Sequence, residues 1–206
     1  DACSGFGRMK PFLLGLTGSI GMGKSATAAL FAAEGVSVWD ADAAVHRLYG
    51  VGGAAVVPLA EICPDALRDG QIDRGALKAW MRADPTALSQ IERLVHPLVA
   101  ADRLAFIDRE HAADLIVLDV PLLFETGTDA MMDATLVVSA PADVQRARVM
   151  ARPGMTEALF ETIRSKQMAD CAKRARADFI IETHSPQGAA KAVRAVIDRI
   201  RKAQHA

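Results

Sequence analysis

Asparagine does not occur anywhere in this chain of 206 residues. The Asn-Lys-x-Asp segment through which guanine-specific phosphate-loop proteins read their base is therefore missing. The Leu-Ser-Gly-Gly-Gln segment of transporter ATPases is missing too. Cysteine is scarce: Cys3, Cys63 and Cys171 stand far apart, with no Cys-x-x-Cys pair. That argues against a disulfide framework or a zinc knuckle and suits a reducing, cytoplasmic setting. The five histidines form no His-Glu-x-x-His motif. No apolar run approaches the ~20 residues that span a bilayer as a helix. An excess of one charge is also lacking, since 24 basic residues face 25 acidic ones for a net charge of −1. That balance excludes a general binder of nucleic acid or membrane surfaces, so any anion site must be local.

With 51% hydrophobic and 24% charged residues, the chain has the make-up of a globular protein. Its length suits one domain with a sizeable core and room for a helical insertion. Asp1 to Arg8 carry no apolar pattern, and Met9-Lys10 ahead of a strand looks like a natural start. Residues 1–8 therefore read as an expression remnant or a loose leader, with no apolar h-region of a signal peptide. Residues 9–206 read as one domain.

Phe12-Leu-Leu-Gly-Leu-Thr17 is a short apolar run ending in glycines and reads as a buried strand. The alanine-rich stretch Ala26 to Ala33 predicts a helix stopped by Gly35, and Val36 to Trp39 a second strand ending at Asp40. Strand, glycine loop, helix and strand make a βαβ unit. From Ala41 to Ala113 the pattern is almost wholly helical, punctuated by Pro58, Pro64, Pro85, Pro97 and several glycines. This block (about 41–113) reads as an insertion in a core of 9–40 and 114–206. Leu115 to Val120 and Ala134 to Ser139 are continuous apolar runs, the mark of parallel strands buried on both faces. Asp178 to Ile181 is a shorter one. Helices are predicted over 144–150, 157–168 and 188–202. The class is α/β, with a doubly wound, mainly parallel five-stranded sheet.

The strongest motif is Gly18-Ser-Ile-Gly21-Met22-Gly23-Lys24-Ser25, a G-x-x-x-x-G-K-[ST] match between a strand and a helix. Glycines let the backbone curl so that successive N–H groups point into one concavity, and the following helix adds the positive end of its dipole. Lys24 can reach the β- and γ-phosphates, and Ser25 can offer its hydroxyl to magnesium. A small-molecule kinase is the natural reading at this length. The rival from another class is a nucleotide-binding regulatory module without phosphoryl transfer.

Three further segments bear on the choice. Trp39-Asp-Ala-Asp42 places carboxylates just past the second strand, where one could accept a proton from an attacking hydroxyl. Either Asp40 or Asp42 could instead cap the next helix. Asp119 ends the third strand as a Walker B acid would, and Pro121 to Phe124 is either a ligand wall or core. Arg146, Arg148, Arg152, Arg164 and Lys166 surround a break at Pro153-Gly154. Such a break can act as a lid (about 150–170) whose arginines neutralise phosphoryl charge, although basic residues on a helix are more often solvated.

Taken in order, these segments resemble the dephospho-CoA kinase family. The similarity rests on Leu16-Thr-Gly-Ser-Ile-Gly-Met-Gly-Lys-Ser25, Asp40-Ala-Asp42, Ile72-Asp-Arg-Gly-Ala-Leu77 and Leu94-Val-His-Pro-Leu98. It continues through Pro121-Leu-Leu-Phe-Glu125, the Arg152 segment, Gln167-Met168 and Ala177-Asp-Phe-Ile-Ile181. The resemblance implies ATP-dependent phosphorylation of the 3′-hydroxyl of dephospho-CoA, with Mg2+ accompanying ATP. It implies that Thr17, Gly21, Met22, Gly23, Lys24, Ser25 and Ala26 hold ATP, with Ser25 on the metal. Asp42, Lys24 and Arg152 become the catalytic residues. Asp42, Arg74, His96, Pro121 and Leu122 become the acceptor contacts. A monomer or weak homo-oligomer is expected, and another P-loop small-molecule kinase is the alternative. The chain departs from the family pattern at Ala26, where threonine is common, and at Trp80-Met81. It departs again at Glu182-Thr-His-Ser185, where asparagine then glycine is usual near the adenine.

Overall fold

The computed structural model describes residues 10–205, so the expectation for residues 1–8 lies outside the described residues. It divides into two compact units: an α/β unit of residues 10–39 and 110–205, and a helical unit of Asp40–Arg109. The chain runs β1 (Phe12–Thr17), α1 (Lys24–Ala33) and β2 (Ser37–Asp40), then α2 (Ala41–Tyr49) and α3 (Val56–Ile62). A hairpin of β3 (Leu67–Arg68) and β4 (Gln71–Ile72) leads to α4 (Arg74–Ala83) and α5 (Ala87–Arg109). The chain then returns through β5 (Leu115–Asp119), β6 (Ala134–Ser139), α6 (Ala142–Met150) and α7 (Glu157–Ser165). It finishes with α8 (Asp170–Arg176), β7 (Phe179–Glu182) and α9 (Pro186–Gln204).

The sheet has five strands in the order β2-β5-β1-β6-β7. β1 pairs in parallel with β5 on one side and β6 on the other, and β6 pairs in parallel with β7. Every residue of β5 and β6 is buried, which is why both read as unbroken apolar runs. Phe31 of α1 and Val193, Ile197 and Ile200 of α9 join Leu14, Leu16, Val117, Leu136 and Val138 in one core. Each such side chain contributes about 1.5–3 kcal/mol on burial. With β1 central, the strand order parts at its carboxyl end, the place where α/β sheets leave a crevice for ligands.

The helical unit has its own core, built on Leu48, Leu59, Leu77, Ile91 and Val95. Two features correct the sequence reading. First, the block is not wholly helical: Asp69 and Gly70, both left-handed (φ 50 and 75), turn a hairpin between Arg68 and Gln71. Asp-Gly is a favoured pair for such a turn, but strands of two residues are too short to show alternation. Second, Pro97 does not punctuate: α5 runs straight through it, losing one backbone donor there.

In the α/β unit α8 went unrecognised, and the helix expected to reach Met168 stops at Ser165. The reason is local. The Gln167 side chain and the Met168 N–H are both engaged outside the helix, with Ile20 N and Glu125 respectively.

Candidate active site

The loop Gly18–Ser25 leaves β1 at the parting of the strand order and enters α1 at Lys24. Gly21 and Gly23 have φ of 79 and 92, a region costly to side chains. Space is blocked at Gly21 and tight at Gly23. A Cβ on Gly21 would fall 2.5 Å from Val149 Cγ2 and 2.9 Å from the Gln145 carbonyl oxygen, and one on Gly23 would fall 3.1 Å from Thr183 Oγ1. The N-cap of α1 is Gly23, with no side-chain cap bond and no acid in the first turn. The first amides of α1 are thus not used up by a side chain of the helix itself, which suits an anion.

Lys24 Nζ lies 2.5 Å from Asp119 Oδ1, with side chains 14% and 0% exposed. The loop lysine and the acid ending β5 are thus brought together at one point. Ser25 and Ala26 are exposed on the first turn of α1. Met22 is buried, and the Ala140 N–H donates to its sulfur at 3.1 Å. Thr17 is fully buried, and its hydroxyl donates to the Pro121 carbonyl at 3.0 Å, tying the end of β1 to the loop after β5. On that loop Leu122 is 39% exposed, while Leu123 and Phe124 belong to the core.

Of the residues that hold the loop, Gln145 carried no signal in the sequence, while Gln167, Arg148 and Thr183 stood in segments that gave no hint of this role. Gln145 on α6 donates to the Ile20 carbonyl at 2.8 Å, and Ile20 N–H donates to Gln167 Oε1 at 3.0 Å. The Thr183 hydroxyl donates to the Met22 carbonyl at 2.8 Å. Arg148 donates to Thr183 Oγ1 at 2.9 Å and to the Thr183 carbonyl at 2.7 Å. Arg148 stood in the basic run, but its place at the base of the loop depends on a residue 35 positions away. Beside the loop, a mainly apolar pocket of about 370 Å³ is lined by Gly23, Ala26, Leu30, Arg148, Thr183 and Pro186.

Between α6 and α7 the chain breaks at residues 151–156, with Gly154 at φ 73. Thr156 caps α7 by accepting the Leu159 N–H. Arg146 is paired with Glu157, and Arg164 with Glu161. Arg152 is exposed; its backbone bonds to Val149 and Met155, and its guanidinium has no hydrogen bond or ion pair among the described residues. On α8, Lys173 is fully buried and paired with Glu125 at 3.0 Å. Burial alone would raise the Glu125 carboxyl. The Met168 N–H and Lys173 outweigh it and hold the group below its ordinary range.

Asp42, Arg74 and His96 all lie in the helical unit. Asp40 caps α2, accepting the Ala43 N–H at 2.8 Å. Asp42, in the first turn of α2, is exposed and spared that duty. Arg74 opens α4 with its guanidinium 5.6 Å from the centre of the Tyr49 ring. Burial raises the Tyr49 hydroxyl, and the charge of Arg74 partly opposes this. His96 is exposed on α5.

A family model described as dephospho-CoA kinase matches residues 12–187. The chain belongs to the dephospho-CoA kinase family. A dephospho-CoA kinase of Cereibacter sphaeroides is 62% identical over 195 residues, covering 94% of this chain and 98% of that one. One of Ruegeria pomeroyi is 55% identical over 190 residues, with coverage of 92% and 96%. Among solved structures, TT1252 from Thermus thermophilus matches with a TM-score of 0.82 at 33% identity, covering 93% of this chain and 98% of that one. Dephospho-CoA kinase from Campylobacter jejuni matches at 0.64 and 22% identity, covering 91% and 96%, a likeness of fold. The fold is thus that of the P-loop kinases. No helix among the described residues is long and apolar enough to cross a membrane.

Proposed function

We propose that this member of the dephospho-CoA kinase family transfers the γ-phosphoryl group of ATP to the 3′-hydroxyl of dephospho-CoA, giving coenzyme A and ADP. The observation that carries the reading is the Gly18–Ser25 loop. Its two left-handed glycines pack against α6 and Thr183, and it opens on a helix whose first turn is not used by a side-chain cap.

In the reaction the acceptor oxygen forms a bond to the γ-phosphorus as the bridging oxygen to the β-phosphate leaves with ADP. The loop amides and Lys24 hold the charge on the phosphates. The ammonium of Lys24 has three donors, so it can serve Asp119 and a phosphate oxygen together. Asp42, spared from capping by Asp40, takes or orients the hydroxyl proton. Arg152, exposed on the break between α6 and α7, closes as a lid over the transferring group and excludes water. Magnesium prefers oxygen ligands and often takes only one or two from protein. The exposed Ser25 hydroxyl, with no hydrogen bond among the described residues, fits that role. When bound, the ion would neutralise phosphate charge. The pocket of about 370 Å³ beside Ala26 and Thr183 takes the adenine ring. Without the family's usual asparagine, backbone groups near Thr183 read its edge. Arg74, His96, Pro121 and Leu122 contribute to the acceptor site. The enzyme works in the cytoplasm, as a monomer or weak homo-oligomer.

Incubation with ATP, magnesium and dephospho-CoA should yield coenzyme A by mass spectrometry. Absence of that product, with turnover of a different acceptor, would overturn the assignment. Asp42→Asn should lower kcat by ~10²–10⁴ if the carboxylate acts as a general base. An unchanged kcat with a raised KM for dephospho-CoA would make it a binding residue instead.

A further inference from the structure

Ile20 is the third residue of the phosphate loop, and both of its backbone polar groups are held by side chains. Its carbonyl accepts from Gln145 Nε2 at 2.8 Å, and its N–H donates to Gln167 Oε1 at 3.0 Å. The two glutamines come from opposite roots of one segment: Gln145 lies within α6, and Gln167 follows the end of α7. Gln145 is itself buried. The Gln145 carbonyl oxygen also forms part of the wall that a Cβ on Gly21 would strike.

Gln167 stands on a braced support. The next residue, Met168, donates its N–H to Glu125 Oε1 at 2.8 Å, and Glu125 is paired with the fully buried Lys173. Lys173 Nζ lies 3.4 Å from the Pro121 carbonyl, which also receives the Thr17 hydroxyl. The root of the segment, the loop after β5 and the end of β1 thus form one connected bracket.

We infer that Gln145 and Gln167 are positioning residues that hold the Ile20 peptide from both roots of the α6–α7 segment. They keep the phosphate loop in its phosphate-binding shape and couple it to that segment. Backbone groups in such a loop must be bonded somewhere. Bonds made by side chains of the segment pass any displacement of it directly to the peptide. The opposite polarity of the two grips is the chemical signature: position 145 must donate and position 167 must accept. The inference rests on the assignment of Gly18–Ser25 as a nucleotide phosphate loop.

The test uses the full chain, with ADP and ATP as probes. Loss of one hydrogen bond in Gln145→Met or Gln167→Met should weaken ADP binding in calorimetry by about three- to tenfold. KM for ATP should rise by the same factor, while KM for dephospho-CoA stays within about twofold. The double variant should lose less than the product of the two single losses, because both grips serve one peptide. Gln145→Glu and Gln167→Glu add the same charge but differ in donor sense. Gln167→Glu keeps its acceptor and should bind ADP more tightly than Gln145→Glu, which sets an acceptor against the Ile20 carbonyl. If the Met variants melt at lower temperature yet bind ADP and ATP as the parent does, the residues are merely structural and the inference falls. Equal losses in the two Glu variants would overturn it as well. Should Gln145→Met fail to fold, the Gln167 pair of variants still decides. A parent chain that binds no ADP would instead refute the phosphate-loop assignment.

Discussion

The contact between Lys24 and Asp119 joins two residues 95 positions apart. It gives Lys24 a structural part beside the catalytic one proposed for it. Asp119 is fully buried, so removing its cation leaves a buried carboxylate with less compensation. Lys24→Met should abolish turnover and also lower stability by about 3 kcal/mol. Adding Asp119→Asn should restore much of the melting temperature and none of the activity, which thermal denaturation and an ADP-release assay would separate. Glu125 is a second case. Its folded carboxyl lies below the ordinary range, so its contribution is full above the unfolded pKa and is lost as pH falls through the folded one. Stability should therefore drop on acidification through and below the ordinary carboxylate range, and Glu125→Gln should flatten that drop in denaturation curves taken across it. Neither pairing was legible in the sequence. Asp119 read as a Walker B acid because it ends an apolar run, but nothing in the order of residues pairs it with Lys24 or Glu125 with Lys173.

At the scale of elements, the glycine loop and its helix were legible because backbone curvature there can be met only by glycine. Gly21→Ala faces both a left-handed φ and contacts as short as 2.5 Å. It should lower ADP affinity by more than tenfold and reduce the melting temperature, whereas Gly35→Ala, with nothing within 4 Å of its Cβ, should affect the melting temperature through backbone strain and spare nucleotide binding. The parallel strands were legible for a similarly local reason: burial on both faces makes each an unbroken apolar run. The β3–β4 hairpin and α8 were not, since two-residue strands and a seven-residue helix carry too few periods. Pro97 shows the limit of punctuation. It looked like a boundary, but contacts of α5 with α2, α3 and α4 carry the helix past it. Pro97→Ala restores one backbone donor and should stabilise the chain by up to about 3 kcal/mol in chemical denaturation. A simultaneous rise in KM for dephospho-CoA would tie the His96-Pro97 step to the acceptor.

At the scale of the whole molecule, two cores serve two units. The proposed nucleotide residues Gly21 to Ala26 belong to the α/β unit, and the proposed acceptor residues Asp42, Arg74 and His96 to the helical one. Hydrogen exchange should then divide the same way: ADP slows exchange most in the loop, α1 and α6, and dephospho-CoA slows it most in α2 and α4. ADP at about a hundred times its Kd should stabilise the parent by about 2.7 kcal/mol and raise its melting temperature by roughly 5–10 °C. Lys24→Met should lose most of that shift.

Amino-acid order alone was enough for the α/β class, the central strand with its glycine turn, and the family. These rest on local rules: φ freedom at glycine, apolar periodicity along buried strands, and motif spacing. Only the folded chain decided which acid caps α2 and which stays free. Only the fold sealed Lys24 against Asp119, and only the fold turned Gln145, Gln167, Arg148 and Thr183 into the holders of the loop. The physical reason is that hydrogen bonds and buried ion pairs act over a few ångströms in space. Their partners here lie up to 161 residues apart along the chain, a distance over which local sequence pattern carries no information.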